Sequence, residues 1–462
     1  MIELLYGAGP QERRQDPAMR AFRADRFGQF VHWGLYALPA GTWQGRTIDF
    51  AAEFLMHSAG VSCEDWAALA ADFTLDGFDP ALWARTAKRM GARYVTVTTK
   101  HHDGFSLWPS AFSDFTVAAT PSGRDVLGEI VSAYRAEGLA VHLYYSVLDW
   151  HHPDWRYALD TDDDRTAFDR YLAFATNQLV ELAERYPDVR GFWFDGTWDE
   201  SVKAHGRWTH EIERILKARI PGAIVNSRLR ADDLGARHFD SNGALMGDYE
   251  SGYERRLPAP WDRSVTARDW EACATITQAT WGFHHSAWAD RGRKTPAQIV
   301  EQLVQTVSLG GNLLLNFGPR GDGSLVPSEA ELADRVGAWM EANGAAVHHS
   351  GPAEGWDYPG WGFYTAPMDP GAADTGSGLV HAIVTRIPVS GILTIDVPPG
   401  LEVHKIRSLA DGTSVPFTAL DARTVQLDSP ASAGMPLVYA IEAGPAEEPG
   451  GLREPNPDVA LV

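Results

Sequence analysis

Along the first two thirds of the chain, short apolar runs that end on polar or aromatic side chains alternate with longer stretches in which apolar residues return every three or four positions. The runs span residues 27–34, 93–100, 139–146, 190–195, 223–228, 245–250, 279–285 and 312–319. Segments at 80–90, 165–186 and 296–309 carry the helical period between them, the first opening on Pro80, a residue suited to a first helical turn. Parallel strands need crossovers of this kind. The pattern therefore predicts a (β/α)8-like barrel, whose working face is the rim at the C-terminal ends of its strands.

In Gly191-Phe192-Trp193-Phe194-Asp195-Gly196, alternation puts Trp193 and Asp195 on one face and Phe192 and Phe194 on the other, toward an outer layer. Asp195 reads either as a turn residue in a common Asp-Gly pair or as a carboxylate delivered to the rim beside an aromatic wall. The other strand ends favour the rim. The run 27–34 carries His32, 93–100 leads into His101 and His102, 139–146 ends in tyrosines, and 223–228 ends in Arg228.

After Pro319 the barrel pattern stops. One more helix is expected to about residue 342, with Ser328 and Glu331 at capping-box spacing. From there short alternating runs at 379–387, 391–397, 403–409, 424–427 and 437–441 are separated by Gly, Pro and Asp, which predicts a β-sandwich. The expected division is a barrel over 1–345, a sandwich over 346–445 and a loose Pro-, Glu- and Gly-rich tail over 446–462. A second domain also follows from length, since 462 residues exceed the ~250 of a typical barrel.

A formal charge of −21 argues against nucleic acid or an anionic membrane as partner, because either is usually met by a basic surface. A neutral substrate is expected. The two cysteines, Cys63 and Cys273, are far apart and lack metal-ligand spacing, and no run is long and apolar enough to be read as a membrane span, so a cytoplasmic enzyme is expected. Seventeen tryptophans, among them Trp33, Trp43, Trp108, Trp150, Trp193, Trp198 and Trp281 near strand ends, suit a ligand with apolar faces and a hydroxyl rim. A pyranose has both. Hydrolysis of its glycosidic bond requires two carboxyl groups, and Asp195 is one candidate.

Phe27-Gly28-Gln29-Phe30-Val31-His32-Trp33-Gly34-Leu35-Tyr36 and Thr98-Thr99-Lys100-His101-His102-Asp103-Gly104-Phe105-Ser106-Leu107-Trp108-Pro109-Ser110 resemble the retaining α-L-fucosidases of glycoside hydrolase family 29. Gly123-Arg124-Asp125-Val126, Leu143-Tyr144-Tyr145-Ser146, Trp193-Phe194-Asp195-Gly196 and Gly311-Asn312-Leu313-Leu314-Leu315-Asn316-Phe317-Gly318-Pro319 follow in the same order as in that family. The resemblance covers roughly residues 20 to 345 and implies exo-acting release of terminal α-L-fucose from a fucosylated glycan. The implied chemistry is a double displacement through a covalent glycosyl-Asp195 intermediate, with neither metal nor cofactor.

By the same resemblance His32, His101, His102, Tyr145 and Arg228 hydrogen-bond fucose or position the nucleophile. Trp193 and Phe283 meet the sugar's methyl group. Glu53 matches a sugar-binding glutamate, followed here by Phe54 where the family usually has tryptophan. For the acid/base, Glu254 and Glu250 compete; the spacing to Leu257-Pro258 favours Glu254. Glu271 reads as a support for that loop.

Other readings compete. The pairs His101-His102, His151-His152 and His284-His285 suggest a metal-dependent hydrolase, although adjacent histidines on a regular strand face opposite ways and no His-Glu-x-x-His pattern occurs. A glycosidase for another neutral sugar, an inverting enzyme and a silent carbohydrate-binding protein are further alternatives, and assembly into a homo-oligomer is left open. Carboxyl separation would distinguish retention, at ~5–5.5 Å, from inversion, at ~6.5–9.5 Å.

Overall fold

A computed structural model describes residues 2–9, 13–368, 378–428 and 434–446. It contains eight parallel strands: β1 (Phe27–Val31), β2 (Tyr94–Lys100), β3 (Ala140–Ser146), β4 (Gly191–Asp195), β5 (Ile224–Val225), β6 (Glu250–Glu254), β7 (Trp270–Thr275) and β8 (Asn312–Phe317). They pair in chain order, β1 through to β5 on one side and β1 to β8, β7 and β6 on the other. The gap between β5 and β6 is crossed by one parallel bridge, Asn226 to Tyr249, where Ser227 N donates to Tyr249 O at 3.0 Å. The sheet thus closes into a ring.

Alternation sorts each strand into an inner and an outer face. Phe30, Tyr94, Tyr144, Trp193, Ile224, Cys273 and Leu314 meet inside the ring, and Met19 and Phe22 of the helix Pro17–Asp25 join them. That helix plugs the end of the barrel away from the rim. Phe22 sits 4.8 Å from the Tyr249 ring and 5.7 Å from the Tyr94 ring. Val95, Val97, Phe192, Phe194, Leu313 and Leu315 face outward into the main core against the helices. Gly28 is required where the Tyr94 ring crosses β1, since a Cβ there would lie 2.4 Å from ring atoms.

Two strands differ from the sequence expectation. The run 279–285 is a rim loop, and β7 lies upstream at Trp270–Thr275. The loop's backbone is committed elsewhere, with Trp281 N and Gly282 N donating to the buried Glu53 carboxylate at 3.1 and 2.9 Å. The sixth strand starts only where the expected one ends, at Glu250. Crossover helices are found at Pro80–Met90, Asp162–Arg185 and Pro296–Ser308. Thr161 with Asp164 and Thr295 with Gln298 build capping boxes on the last two.

Helix Pro327–Asn343 has no such box. Val326 occupies its cap without a side-chain hydrogen bond, so the Ser328 and Glu331 expectation fails; the proline at the first position starts the helix two residues too early for Ser328 to cap it. Beyond Ala346 come two antiparallel sheets. One contains Ser350–Pro352, Gly362–Pro367, Gly378–Val384, Leu437–Pro445 and Leu401–Ser408; the other contains Ile392–Asp396, Thr424–Asp428 and Thr418–Ala419. Trp361, Tyr364, Val380 and Ile441 of the first share a core with Leu393, Ile395, Val425 and Leu427 of the second. Trp339 Nε1 donates to Pro436 O at 2.8 Å, tying this unit to the barrel's last helix. From 447 on, the expected tail lies outside the described residues. Among the described residues no helix is long and apolar enough to cross a membrane.

Candidate active site

Asp195 closes β4 on the inner face, in register with Ser146 as Trp193 is with Tyr144. Gly196 follows at φ +71°, turning the chain sharply so that the carboxylate stands at the rim. Arg228, just past β5, sends Nη1 to Asp195 Oδ1 at 2.9 Å and Nη2 to Glu254 Oε2 at 2.9 Å, while its Nε donates to Ser251 O at 3.1 Å. One guanidinium therefore spans two carboxylates. Its plane also lies 4.7 Å over the Trp193 ring, and the Trp193 indole is stacked on Tyr144 at 5.6 Å.

Burial pushes the Asp195 carboxyl up, but the charge of Arg228 and the neighbouring His102 outweigh it and hold the group below the ordinary carboxylate range. Tyr144 OH donates to Asp195 Oδ2 at 3.2 Å, and His102 Nε2 stands 3.8 Å from the same oxygen. Burial presses the imidazoles the other way, His32 to about 3 and His102 to about 4. At neutral pH the site holds an ionised Asp195 among neutral imidazoles. These are suited to exchange hydrogen bonds with hydroxyls, each having one donor and one acceptor nitrogen.

Each imidazole is oriented from behind. His32 Nδ1 is 2.6 Å from Asn316 Oδ1 and His102 Nδ1 is 2.6 Å from Ser146 Oγ. His101 stacks on Tyr144, the rings 2° from parallel and 5.4 Å apart, and its buried Nδ1 has no partner among the described residues. His101 and His102 lie beyond the end of β2, in a turn, with ring centroids 4.1 Å apart. Strand alternation, which would have sent them to opposite faces, does not apply there. Phe54 and Trp150 meet the His102 ring edge-on at 5.2 and 5.4 Å. Trp281 packs on His32 at 5.1 Å. Among the described residues no three of His, Cys, Asp and Glu converge as metal ligands.

Several residues stand apart from this cluster. Tyr145 faces outward, donating from its hydroxyl to Gln178 at 2.9 Å with the Lys100 ammonium 4.6 Å over its ring. It follows Tyr144 in β3 and so cannot share its face. Glu250 pairs with Arg268. Strict alternation would put Glu250 and Glu254 on one face, but the pairing of β6 with β7 shifts between Glu250 and Tyr253, and this irregularity re-aims the strand. Only Glu254 joins Arg228. Phe283 lies under the Arg320 guanidinium at 5.8 Å, and it is Trp281 that touches His32. Glu53 is buried and holds the 280–282 loop.

Glu271 is no loop support. It sits on the inner face of β7, accepting from Tyr94 OH at 2.6 Å and from Trp193 Nε1 at 2.9 Å, and burial raises its carboxyl to about 7. It anchors the indole on which Arg228 rests. Tyr144 is the member that the sequence reading did not single out; Trp281 is expected there only as one of the tryptophans near strand ends, and Glu271 only as a loop support. Alternation from Trp193 and Asp195 across the parallel pair would have found Tyr144.

A family model described as Alpha-L-fucosidase matches residues 4–345. Tissue alpha-L-fucosidase of Rattus norvegicus is 33% identical over 412 residues, 85% of this chain and 82% of the relative. Among solved structures, an alpha-L-fucosidase of Bacteroides thetaiotaomicron is 46% identical with a TM-score of 0.91, covering 96% of this chain and 100% of the other. That enzyme was trapped as a covalent intermediate with 2-fluoro-fucosyl fluoride, using a glutamate-to-glutamine mutant. Alpha-L-fucosidase isoenzyme 1 of Paenibacillus thiaminolyticus is 30% identical with a TM-score of 0.77, covering 92% and 99%.

Proposed function

This chain belongs to the alpha-L-fucosidase family, and on that premise we propose that it releases terminal α-L-fucose with Asp195 as nucleophile and Glu254 as acid/base. The observation that carries the assignment of roles is the Arg228 guanidinium shared between those two carboxyls. In the first step Asp195 attacks the anomeric carbon, the bond to the aglycone oxygen breaks, and Glu254 gives that oxygen its proton. Asp195 becomes a neutral ester as Glu254 becomes a carboxylate. In the second step Glu254 takes a proton from water, whose oxygen attacks the anomeric carbon and frees Asp195. Two inversions give retention.

Arg228 touches both carboxyls, so negative charge that passes from Asp195 to Glu254 during the reaction stays beside its cation. The covalent intermediate trapped in the Bacteroides enzyme supports this double displacement, and the glutamate altered to trap it is in keeping with a glutamate acid/base. His32, His101, His102 and Tyr144 supply neutral donors and acceptors for the fucose hydroxyls, while Trp281 offers an apolar face for its methyl side; Trp193, with Arg228 over one face and Tyr144 stacked on it, positions those two groups. The two free cysteines, one exposed and one buried, fit a reducing compartment and support the cytoplasmic reading. A panel of p-nitrophenyl glycosides tests the substrate class: turnover of the α-L-fucoside above the β-D-galactoside, α-L-arabinoside and β-D-xyloside is expected, and preference for any of the other three would overturn it.

A further inference from the structure

The loop that leaves Asp195 carries three features the double displacement does not use. Trp198 is 37% exposed, a large apolar side chain at the rim, and its ring stands edge-on to His102 at 5.3 Å. Asp199 follows it, with a buried Oδ2 that has no hydrogen-bond partner among the described residues. Arg237 approaches from the loop after β5 and donates from Nη2 to Thr197 Oγ1 at 2.6 Å, while its buried Nε has no partner among the described residues. Among the described residues no ion pair joins Arg237 to a carboxylate, although it feels the charges of both Asp195 and Asp199. Burial presses its guanidinium down to about 10. A buried cation left unpaired beside an unpaired carboxylate is costly unless something completes both.

We propose that Trp198, Asp199 and Arg237 form a binding site for the first sugar of the aglycone, a neutral hexose whose ring lies on the indole and whose hydroxyls bridge the guanidinium and the carboxylate. A hydroxyl both donates and accepts, so one group satisfies Asp199 and Arg237 together, which a carboxylate or an ammonium cannot do. An apolar aryl aglycone would cover Trp198 and leave both charges unanswered. Asp199 caps its short helix without a side-chain hydrogen bond, so its carboxylate is free of a local structural task. The inference rests on the fucosidase reading.

The test compares kcat/KM of the wild type, Trp198→Ala, Asp199→Asn and Arg237→Gln on two substrates. One is α-L-fucosyl fluoride, which has no aglycone ring; the other is a fucosyl disaccharide with a neutral hexose at its reducing end. Each variant is expected to keep the fluoride rate within about twofold and to lose about tenfold on the disaccharide, the scale of one hydrogen bond or one ring contact. Equal losses on both substrates would mean that these residues only support the nucleophile's loop, and unchanged disaccharide rates would mean that they bind nothing; either overturns the proposal. Faster turnover of a disaccharide carrying a uronic acid in place of the neutral hexose would also overturn it. A wild type inactive on both substrates would sink the fucosidase reading itself.

Discussion

Replacing Arg228 with methionine removes the cation that holds Asp195 ionised and leaves the burial that opposes ionisation. The arginine and aspartate side chains are 10% and 14% exposed, so solvent screens the pair weakly. A neighbouring guanidinium typically lowers an aspartate by ~1–3 pH units, and that much should be returned on its loss. The nucleophile acts only as a carboxylate, so the acid limb of kcat/KM on α-L-fucosyl fluoride should move up by the same ~1–3 units. A substrate with a good leaving group keeps Glu254 protonation out of the measurement.

Stability should change with a matching sign. In the native protein the depressed Asp195 contributes stability above its unfolded pKa, which is lost as pH falls through the folded value. In Arg228→Met the folded pKa is raised, so the penalty is largest above that new value, about 3–5 kcal/mol for a buried charge stripped of its partner, and shrinks on acidification. Melting temperatures of the two proteins should therefore converge toward low pH. A rate loss uniform across pH, with a constant gap in melting temperature, would refute the claim that Arg228 governs the charge on Asp195.

Asp195→Gly should abolish turnover of an aryl α-L-fucoside in a protein that still melts cooperatively, and added azide should restore part of the rate with the β-fucosyl azide as product, one displacement replacing two. For Glu254→Ala, fucosylated oligosaccharides should suffer far more than activated aryl fucosides, whereas Glu250→Ala should lower melting temperature through its lost Arg268 partner and leave the ratio of the two substrates intact; the reverse outcome exchanges their roles. Tyr144→Phe should lower kcat by about 10- to 100-fold, the worth of a hydrogen bond to a charged group. Tyr145→Phe should cost about 1 kcal/mol in chemical denaturation with kcat unchanged, and equal effects of the two would contradict the facing assigned to β3.

The strands that could be read from sequence are those whose inner and outer faces differ plainly. β4 announces itself as an apolar run ending in a polar residue, Asp195, as do the runs that lead to His32 and Arg228, and all three residues could be placed on the rim from that alone. β7 could not. Trp270-Glu271-Ala272-Cys273-Ala274-Thr275 carries a carboxylate in mid-strand, which any local rule sends to solvent, and its justification lies in Tyr94 and Trp193, far away in sequence. The run 279–285 misled in the opposite way, because its aromatic residues serve the site from a loop whose hydrogen bonds belong to Glu53. The choice between Glu254 and Glu250 turned on an irregularity in β6 that no composition signals. Family resemblance placed Tyr145 in the site where simple alternation would have chosen Tyr144.

The ring of strands is zipped unevenly. β8 is laced to β1 and to β7 over five residue pairs each, but β5 meets β6 through a single bridge. A hoop yields at its weakest clasp, and here the clasp lies between Arg228 and Glu254. Sliding β6 breaks that one bridge and three pairs to β7, whereas sliding β8 would unlace five pairs on each side. Asp195 rides on the firm side of the hoop, and Glu254 beside its clasp. Amide hydrogens around Asn226 and Tyr249 should therefore be the first of the barrel to exchange with solvent.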